Sequence, residues 1–320
     1  MTQTKETMIA ALIAFAVCAA LGPWMIPFLR RLKMGQTERE EGVASHLKKA
    51  GTPTMGGLMI LAAVIVGSIP FLRGDEKGIP VLILTLGFGM IGFLDDYLKV
   101  VLHRSDGLIA WQKLLLQILV TGLFAFFAVK YAGSELLLRI PFSGGKMADI
   151  GVLAVPLLFF AVIGTVNGVN FTDGLDGLAA SVTAVVAVFF LLAAVFLGKE
   201  PLPVGGAVFG ALLGFMLYNA YPARIFMGDT GSLALGGFVA GMAYIYELPL
   251  FILLAGLVYL IEVLSVMIQV SYFKITHGKR IFKMAPIHHH FELCGWSETR
   301  IVAVFTAVTA VCCLIGLLAV

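Results

Sequence analysis

Long apolar runs recur along the whole sequence with only short polar stretches between them, a pattern that no soluble fold accommodates. Ten runs can be bounded, at 8–29, 55–72, 79–94, 112–131, 151–169, 177–198, 203–221, 231–247, 249–272 and 300–320. Most have the roughly 17–25 residues that a helix needs to cross a bilayer, about twice the length of a membrane-barrel strand. Backbone groups in lipid must be satisfied internally, so helices are the spanning element. With 60% hydrophobic and 13% charged residues and a mean hydropathy of +0.99, the chain lies far outside the soluble range. The sequence therefore predicts an all-α polytopic integral membrane protein with ten transmembrane helices, forming one domain over 1–320. Its weakest boundary is at Glu247, Leu248 and Pro249, because 231–272 is almost unbroken apolar sequence. The run at 8–29 reads as a first span and not as a cleaved leader, since Arg30, Arg31 and Lys33 follow it as a stop-transfer flank. Cys18, Cys312 and Cys313 lie in apolar runs and Cys294 outside them, which reads as small core residues and not as a disulfide framework.

An even number of spans puts both termini on one side. Of the 22 Lys and Arg, 15 fall in one set of loops, including Arg30, Arg31, Lys33, Lys48 and Lys49, and seven in the other. By the positive-inside rule the richer face is cytoplasmic and both termini are extracytoplasmic. Five stretches on that face, 48–57, 93–99, 170–177, 219–232 and 285–296, hold nearly all the unusual polar residues. The longest outer loop, 132–150, carries scattered charge with Gly144 and Gly145 and predicts a short hairpin. A net charge of +3 without a basic tract excludes a nucleic-acid partner, and there is no internal repeat.

Within these stretches the residue types point to phosphate chemistry. Asp95 and Asp96 are adjacent at the end of the third span, so on a helix they point about 100° apart. Asp95 and Lys99, four apart, share a face. An exposed helix-end ion pair is the competing account. In 170–177, Asn-Phe-Thr-Asp-Gly-Leu-Asp-Gly, the side chains of Asn170, Asp173 and Asp176 recur every three residues on one face. Gly174 and Gly177 permit close backbone approach or positive φ, and capping of the sixth span competes here. In 219–232, Gly228 and Asp229 lead into a helix start, where amides favour an anion. Phe226 can stack a base or simply sit at the membrane interface. His288, His289 and His290 are adjacent and converge poorly on one metal, so hydrogen bonding to phosphate suits them better than zinc.

Five carboxylates, Asp95, Asp96, Asp173, Asp176 and Asp229, would each cost about 3 kcal/mol at the bilayer centre. Two of them about 4 Å apart would repel by about 4 kcal/mol at an effective dielectric of about 20. They belong at the interface, and if the loops converge a divalent ion relieves them. All-oxygen ligands favour Mg2+ or Mn2+. Acids for a hard cation, lysines, a helix start and histidines together describe handling of phosphate esters where water meets lipid.

The motifs also carry a resemblance. Gly-Thr-Pro-Thr-Met-Gly-Gly at 51–57, Phe-Leu-Asp-Asp-Tyr-Leu-Lys at 93–99, the 170–177 segment, 219–232 and 285–296 occur in order over nearly the whole chain. Together they resemble the polyprenyl-phosphate N-acetylhexosamine-1-phosphate transferases. The acidic motifs mark that superfamily, and 286–296 points to its muramoyl-pentapeptide branch. The resemblance implies transfer of phospho-MurNAc-pentapeptide from UDP-MurNAc-pentapeptide to undecaprenyl phosphate, giving lipid I and UMP in bacterial peptidoglycan synthesis. It further implies Mg2+, with Mn2+ as a possible substitute, ten helices in the lipid bilayer of the cytoplasmic membrane, a site facing the cytoplasm, and a homodimer. Carried onto this sequence, Asp229 resembles the metal ligand and Asp95 and Asp96 the catalytic acid pair, with Asp229 and His288 also among the catalytic groups. Lys49, Thr54, Lys99, Asn170, Asp173, Asp176, Asn219, His289 and His290 would line the substrate cleft, with Phe226 against the uridine. Either the lipid phosphate attacks the sugar-bearing phosphorus directly, or an aspartate attacks first. The direct route is favoured, because the lipid phosphate is already an anion near neutral pH and needs only orientation and charge neutralisation. The rival readings are a sister transferase using UDP-GlcNAc and, from another class, a secondary transporter or metal permease. A transporter would be expected to place its acids at the midplane and to show paired repeats.

Overall fold

The computed structural model describes residues 3–31, 51–73, 75–104 and 106–320. Every apolar run is helical. In chain order the helices are α1 (Gln3–Arg31), α2 (Gly57–Ser68), α3 (Gly78–Val100), α4 (Ala110–Lys130), α5 (Ala154–Thr172), α6 (Leu178–Phe196), α7 (Pro203–Asn219), α8 (Gly228–Ile245), α9 (Ile252–Ala255), α10 (Leu257–Ile275), α11 (Ile287–Leu293) and α12 (Glu298–Ala319). Seven helical segments among the described residues are long and apolar enough to cross a membrane: α1, α3, α4, α5 with the turn before it, α6, α10 and α12. The protein is thus an all-helical, multi-pass membrane protein. Helix α7, and α2 with its continuation to Phe71, are shorter apolar helices. The predicted hairpin is present as β1 (Leu138–Arg139) and β2 (Met147–Ala148), antiparallel, with Leu138 opposite Ala148.

Helix α8 sits at the centre of the bundle, packed against α3, α5, α2 and α6. Every residue from 230 to 245 is buried. Its sequence is rich in glycine because lipid offers no hydrophobic drive between helices, and small residues let backbones approach closely. A Cβ at Gly236 would fall 2.4 Å from the Val166 Cα of α5. The same device draws helix ends together at the polar face: a Cβ at Gly92 would fall 2.0 Å from the Asp229 carbonyl oxygen, and one at Gly57 2.1 Å from the Gly231 nitrogen.

Of the boundaries that differ from the sequence reading, two change the path of the chain. The run at 249–272 is broken into a 3-10 turn (Pro249–Phe251), α9 and α10, with Glu247 at φ +63° before it. Pro249 cannot continue a helix from α8, and Gly256 separates the two pieces. At the other boundary α3 runs on to Val100, so Asp95, Asp96 and Lys99 ride its last turns.

Candidate active site

The ends of α3, α4, α5 and α8 bring together a cluster of acids and lysines. Asp95 and Lys99, one turn apart on α3, are in direct contact. Lys99 Nζ also lies 3.3 Å from Asp229 Oδ2. Lys113, in the first turn of α4, places Nζ 2.8 Å from the same Asp229 oxygen and 3.6 Å from Asp95 Oδ2. Two ammoniums therefore bridge two carboxylates. The second oxygen of Asp95 accepts from the Leu108 amide at 2.7 Å, which ties the α3–α4 connection to the cluster. Burial alone would push the Asp229 carboxyl up, but its hydrogen bond with Asp95 and the charges of Lys113 and Lys99 hold it far below the usual carboxylate range.

Asp96 points elsewhere, as the helical angle between neighbours requires. Its Oδ1 accepts from the Asp229 amide at 3.1 Å, and its Oδ2 from the Thr230 amide at 2.8 Å and the Thr230 hydroxyl at 2.6 Å. Asp96 is thus the N-terminal cap of α8, supplied from another helix. The helix start that the sequence suggested for a substrate anion is filled by this carboxylate. Gly228, at φ +72°, makes the turn that exposes these amides, and a Cβ there would lie 2.6 Å from Asp96 Oδ2.

The 170–177 segment does not present a single face. Helix α5 ends at Thr172, so the three-residue spacing stops being helical at Asp173. Asn170 Nδ2 donates to Asp229 Oδ1 at 2.9 Å and to Ser232 Oγ at 2.8 Å, placing Asn170 in the cluster. Burial, then the charges of Asp229, Asp96 and Asp176, push the Asp173 carboxyl well above its ordinary value, against a lowering hydrogen bond from the Gly228 amide. Asp176 turns away: its Oδ2 accepts from the Ala223 amide at 2.8 Å, and its own amide donates to Glu298 Oε1 at 2.6 Å. Asn219 is similarly engaged, accepting from the Gly177 amide at 3.1 Å and donating to the Ile225 carbonyl at 2.9 Å. These two side chains hold the 220–227 loop in place. Of the two glycines, Gly177 has the positive φ, +78°, whereas Gly174 has the close approach, since a Cβ there would meet His288 Nε2 at 2.1 Å.

Thr54 is buried beside Gly228, and its segment is laced to the 226–227 stretch by Phe226 N donating to Pro53 O and Gly56 N to Phe226 O, both at 2.8 Å. Phe226 is half-buried on that seam. Lys49 lies outside the described residues. The histidines do not act as a trio. His288 is fully buried with Nδ1 3.1 Å from Glu262 Oε1, His289 Nδ1 is 2.7 Å from Glu292 Oε2, and His290 Nδ1 accepts from the Lys283 amide at 3.1 Å. Sequence reasoning missed Lys113 and Glu262 as site residues. A lysine at the end of a span reads as an interfacial anchor, and only three-dimensional proximity shows it on Asp229. Glu262 did carry a signal, being the one acid inside the run 249–272.

The residues suit a hard cation in donor type and in charge. Among the described residues, Asp95, Asp96, Asp173 and Asp229 face the two ammoniums of Lys99 and Lys113, an excess of two negative charges when all are ionised. Among the described residues there is no cluster of three or more His, Cys, Asp or Glu arranged to hold a metal ion. Mg2+ is commonly held by one or two carboxylates together with substrate phosphates and water, a donor set to which these carboxylates could contribute.

A helical membrane bundle with such a cluster has the makings of an enzyme for anionic substrates, and the chain is a member of glycosyl transferase family 4, whose family model matches residues 79–247. That match contains the whole acid and lysine cluster. Residues 49–61 match phospho-N-acetylmuramoyl-pentapeptide-transferase signature 1. The chain is 49% identical over 313 residues to the phospho-N-acetylmuramoyl-pentapeptide-transferase of Clostridium perfringens strain 13, covering 97% of this chain and 98% of that one. It is also 49% identical over 311 residues to the Acetivibrio thermocellus protein of the same name, covering 96% and 93%. Within family 4 it is therefore one of the phospho-N-acetylmuramoyl-pentapeptide-transferases.

Proposed function

We propose that the cluster formed by Asp95, Lys99, Lys113, Asn170 and Asp229 is the active site for transfer of phospho-MurNAc-pentapeptide from UDP-MurNAc-pentapeptide to undecaprenyl phosphate. A lipid phosphate oxygen forms the new bond to the sugar-linked phosphorus, the diphosphate P–O bond breaks, and UMP leaves. The products are lipid I and UMP. The observation that carries this reading is the bridging of Asp95 and Asp229 by two ammoniums, Lys99 and Lys113. Ammoniums held by exchangeable carboxylates can move onto phosphate oxygens as charge shifts toward the leaving group.

The hydrogen bonds support a division of roles within the acid pair. Asp96 is committed to the start of α8, so Asp95 is the member that aligns the lipid phosphate and takes any remaining proton. Asp229 would hold Mg2+, or Mn2+ in its place, and the ion supplies charge neutralisation on the diphosphate when bound. Asn170 fixes the Asp229 carboxylate from the side away from the lysines. The reading places this site on the cytoplasmic face, with both termini outside, on the strength of the Lys and Arg bias of the loops. It includes a homodimer on the strength of the family resemblance.

Comparing UMP release from UDP-MurNAc-pentapeptide and from UDP-GlcNAc, each with undecaprenyl phosphate, tests the donor. The muramoyl-pentapeptide donor should turn over at least about 100-fold faster, a ratio that requires recognition of groups the other sugar lacks. Equal or reversed rates would transfer the assignment to the sister enzyme.

A further inference from the structure

Glu262 lies on α10, an apolar helix long enough to span a membrane, and its side chain is fully buried. An ionisable group in such a place is expensive and calls for a partner. That partner is His288, also fully buried, whose Nδ1 is 3.1 Å from Glu262 Oε1. Among the described residues neither Glu262 oxygen and neither ring nitrogen of His288 has a well-formed hydrogen bond, which leaves the 3.1 Å approach of Nδ1 to Oε1 as the polar contact between the two side chains. The far edge of the ring lies against Gly174, where even a methyl group would collide with Nε2 at 2.1 Å. The imidazole is therefore wedged between a membrane helix and the turn that carries Asp173.

We infer that Glu262 is a positioning residue for the transfer, acting through His288: it accepts a hydrogen bond from Nδ1, fixes the ring, and so braces the turn at 173–176, whose Asp173 adjoins Asp229 and Asp96. The inference rests on the proposed active site. It explains why a carboxylate is kept in an apolar helix, why α11 carries a histidine that solvent does not reach, and why position 174 is glycine. A carboxylate that sets the tautomer and orientation of a histidine is a recurring support for functional rings.

The test combines kinetics with nitrogen NMR on the purified full-length protein in detergent. E262Q should remain folded and lower kcat for UMP release by on the order of 10-fold, the usual scale for removal of a supporting partner, with the KM for undecaprenyl phosphate unchanged. H288A should lower kcat at least as much, and E262Q added to H288A should cause no further loss, since the two residues act as a unit. In the wild-type protein the His288 ring should carry a proton on Nδ1, a readout that needs no variant and no turnover. Wild-type kinetics in E262Q, additive losses in the double variant, or an unprotonated Nδ1 would overturn the inference. Failure of the wild-type enzyme to turn over would instead strike the proposed function itself and leave the NMR result standing.

Discussion

Asp95 and Asp96 share a peptide bond, yet one is bridged to a second carboxylate by lysines and the other caps a helix that begins 132 residues later in sequence. Their substitutions should fail in different ways. Asp95→Asn should fold normally and lose turnover by at least about 100-fold, the lower end expected when a positioned acid–base group is removed. Asp96→Ala strands the Asp229 and Thr230 amides and should destabilise the protein by about 1–3 kcal/mol, visible as a lower melting temperature whatever its activity. Trapping of a labelled phospho-sugar on Asp95 in the absence of lipid acceptor would overturn the direct route. Asp173 supplies a pH test. Its carboxyl is raised in the folded state, so ionising it disfavours the native fold, and stability is lost as pH rises from the ordinary aspartate pKa of about 3.9 toward the native value. Asp173→Asn removes that penalty. The variant should melt higher than wild type at neutral pH, and the gap should close as pH falls toward about 4.

At the scale of elements, the site depends on α3 and α8 approaching closely enough for one residue of α3 to cap the other helix. Gly92 sets that distance. Gly92→Val should separate α3 from α8, because a Cβ there overlaps the Asp229 carbonyl oxygen at 2.0 Å, and thermal stability and UMP release should fall together. Activity retained at the wild-type level would show that the α3–α8 seam can shift freely. Much of this level was legible in the sequence. The apolar runs marked the helices because lipid demands internally bonded backbone, and the four-residue spacing put Asp95 with Lys99. What was not legible depended on tertiary neighbours. The 170–177 segment seemed to offer Asn170, Asp173 and Asp176 on one face, but α5 stops at Thr172 and Asp176 bonds the Ala223 amide instead. The start of α8 invited a foreign anion, and only the packed structure reveals that Asp96 already fills it. Lys113 lacks any local pattern that would distinguish it from an anchoring lysine.

At the scale of the molecule, the proposed orientation puts the polar cluster and α11 on the cytoplasmic face, on the strength of the Lys and Arg bias of the loop sequences. Cys294, exposed just after α11 while Cys18 and Cys313 are buried, reports on this orientation. A membrane-impermeant maleimide should label Cys294 in inverted vesicles and leave it untouched in intact spheroplasts; the opposite pattern would invert the assigned topology. In the proposed reaction, a bridged acid and lysine cluster at the ends of α3, α4, α5 and α8 carries out a metal-assisted phosphoryl transfer between a nucleotide-sugar and a lipid phosphate. The direct measurement is UMP release from UDP-MurNAc-pentapeptide by the purified protein, titrated with Mg2+ in the presence and absence of undecaprenyl phosphate, for wild type and Asp229→Asn. Release should require both the lipid and Mg2+, and Asp229→Asn should stay folded with turnover lost and apparent Mg2+ affinity weakened. Release without Mg2+, or wild-type metal dependence in Asp229→Asn, would contradict the proposed reaction.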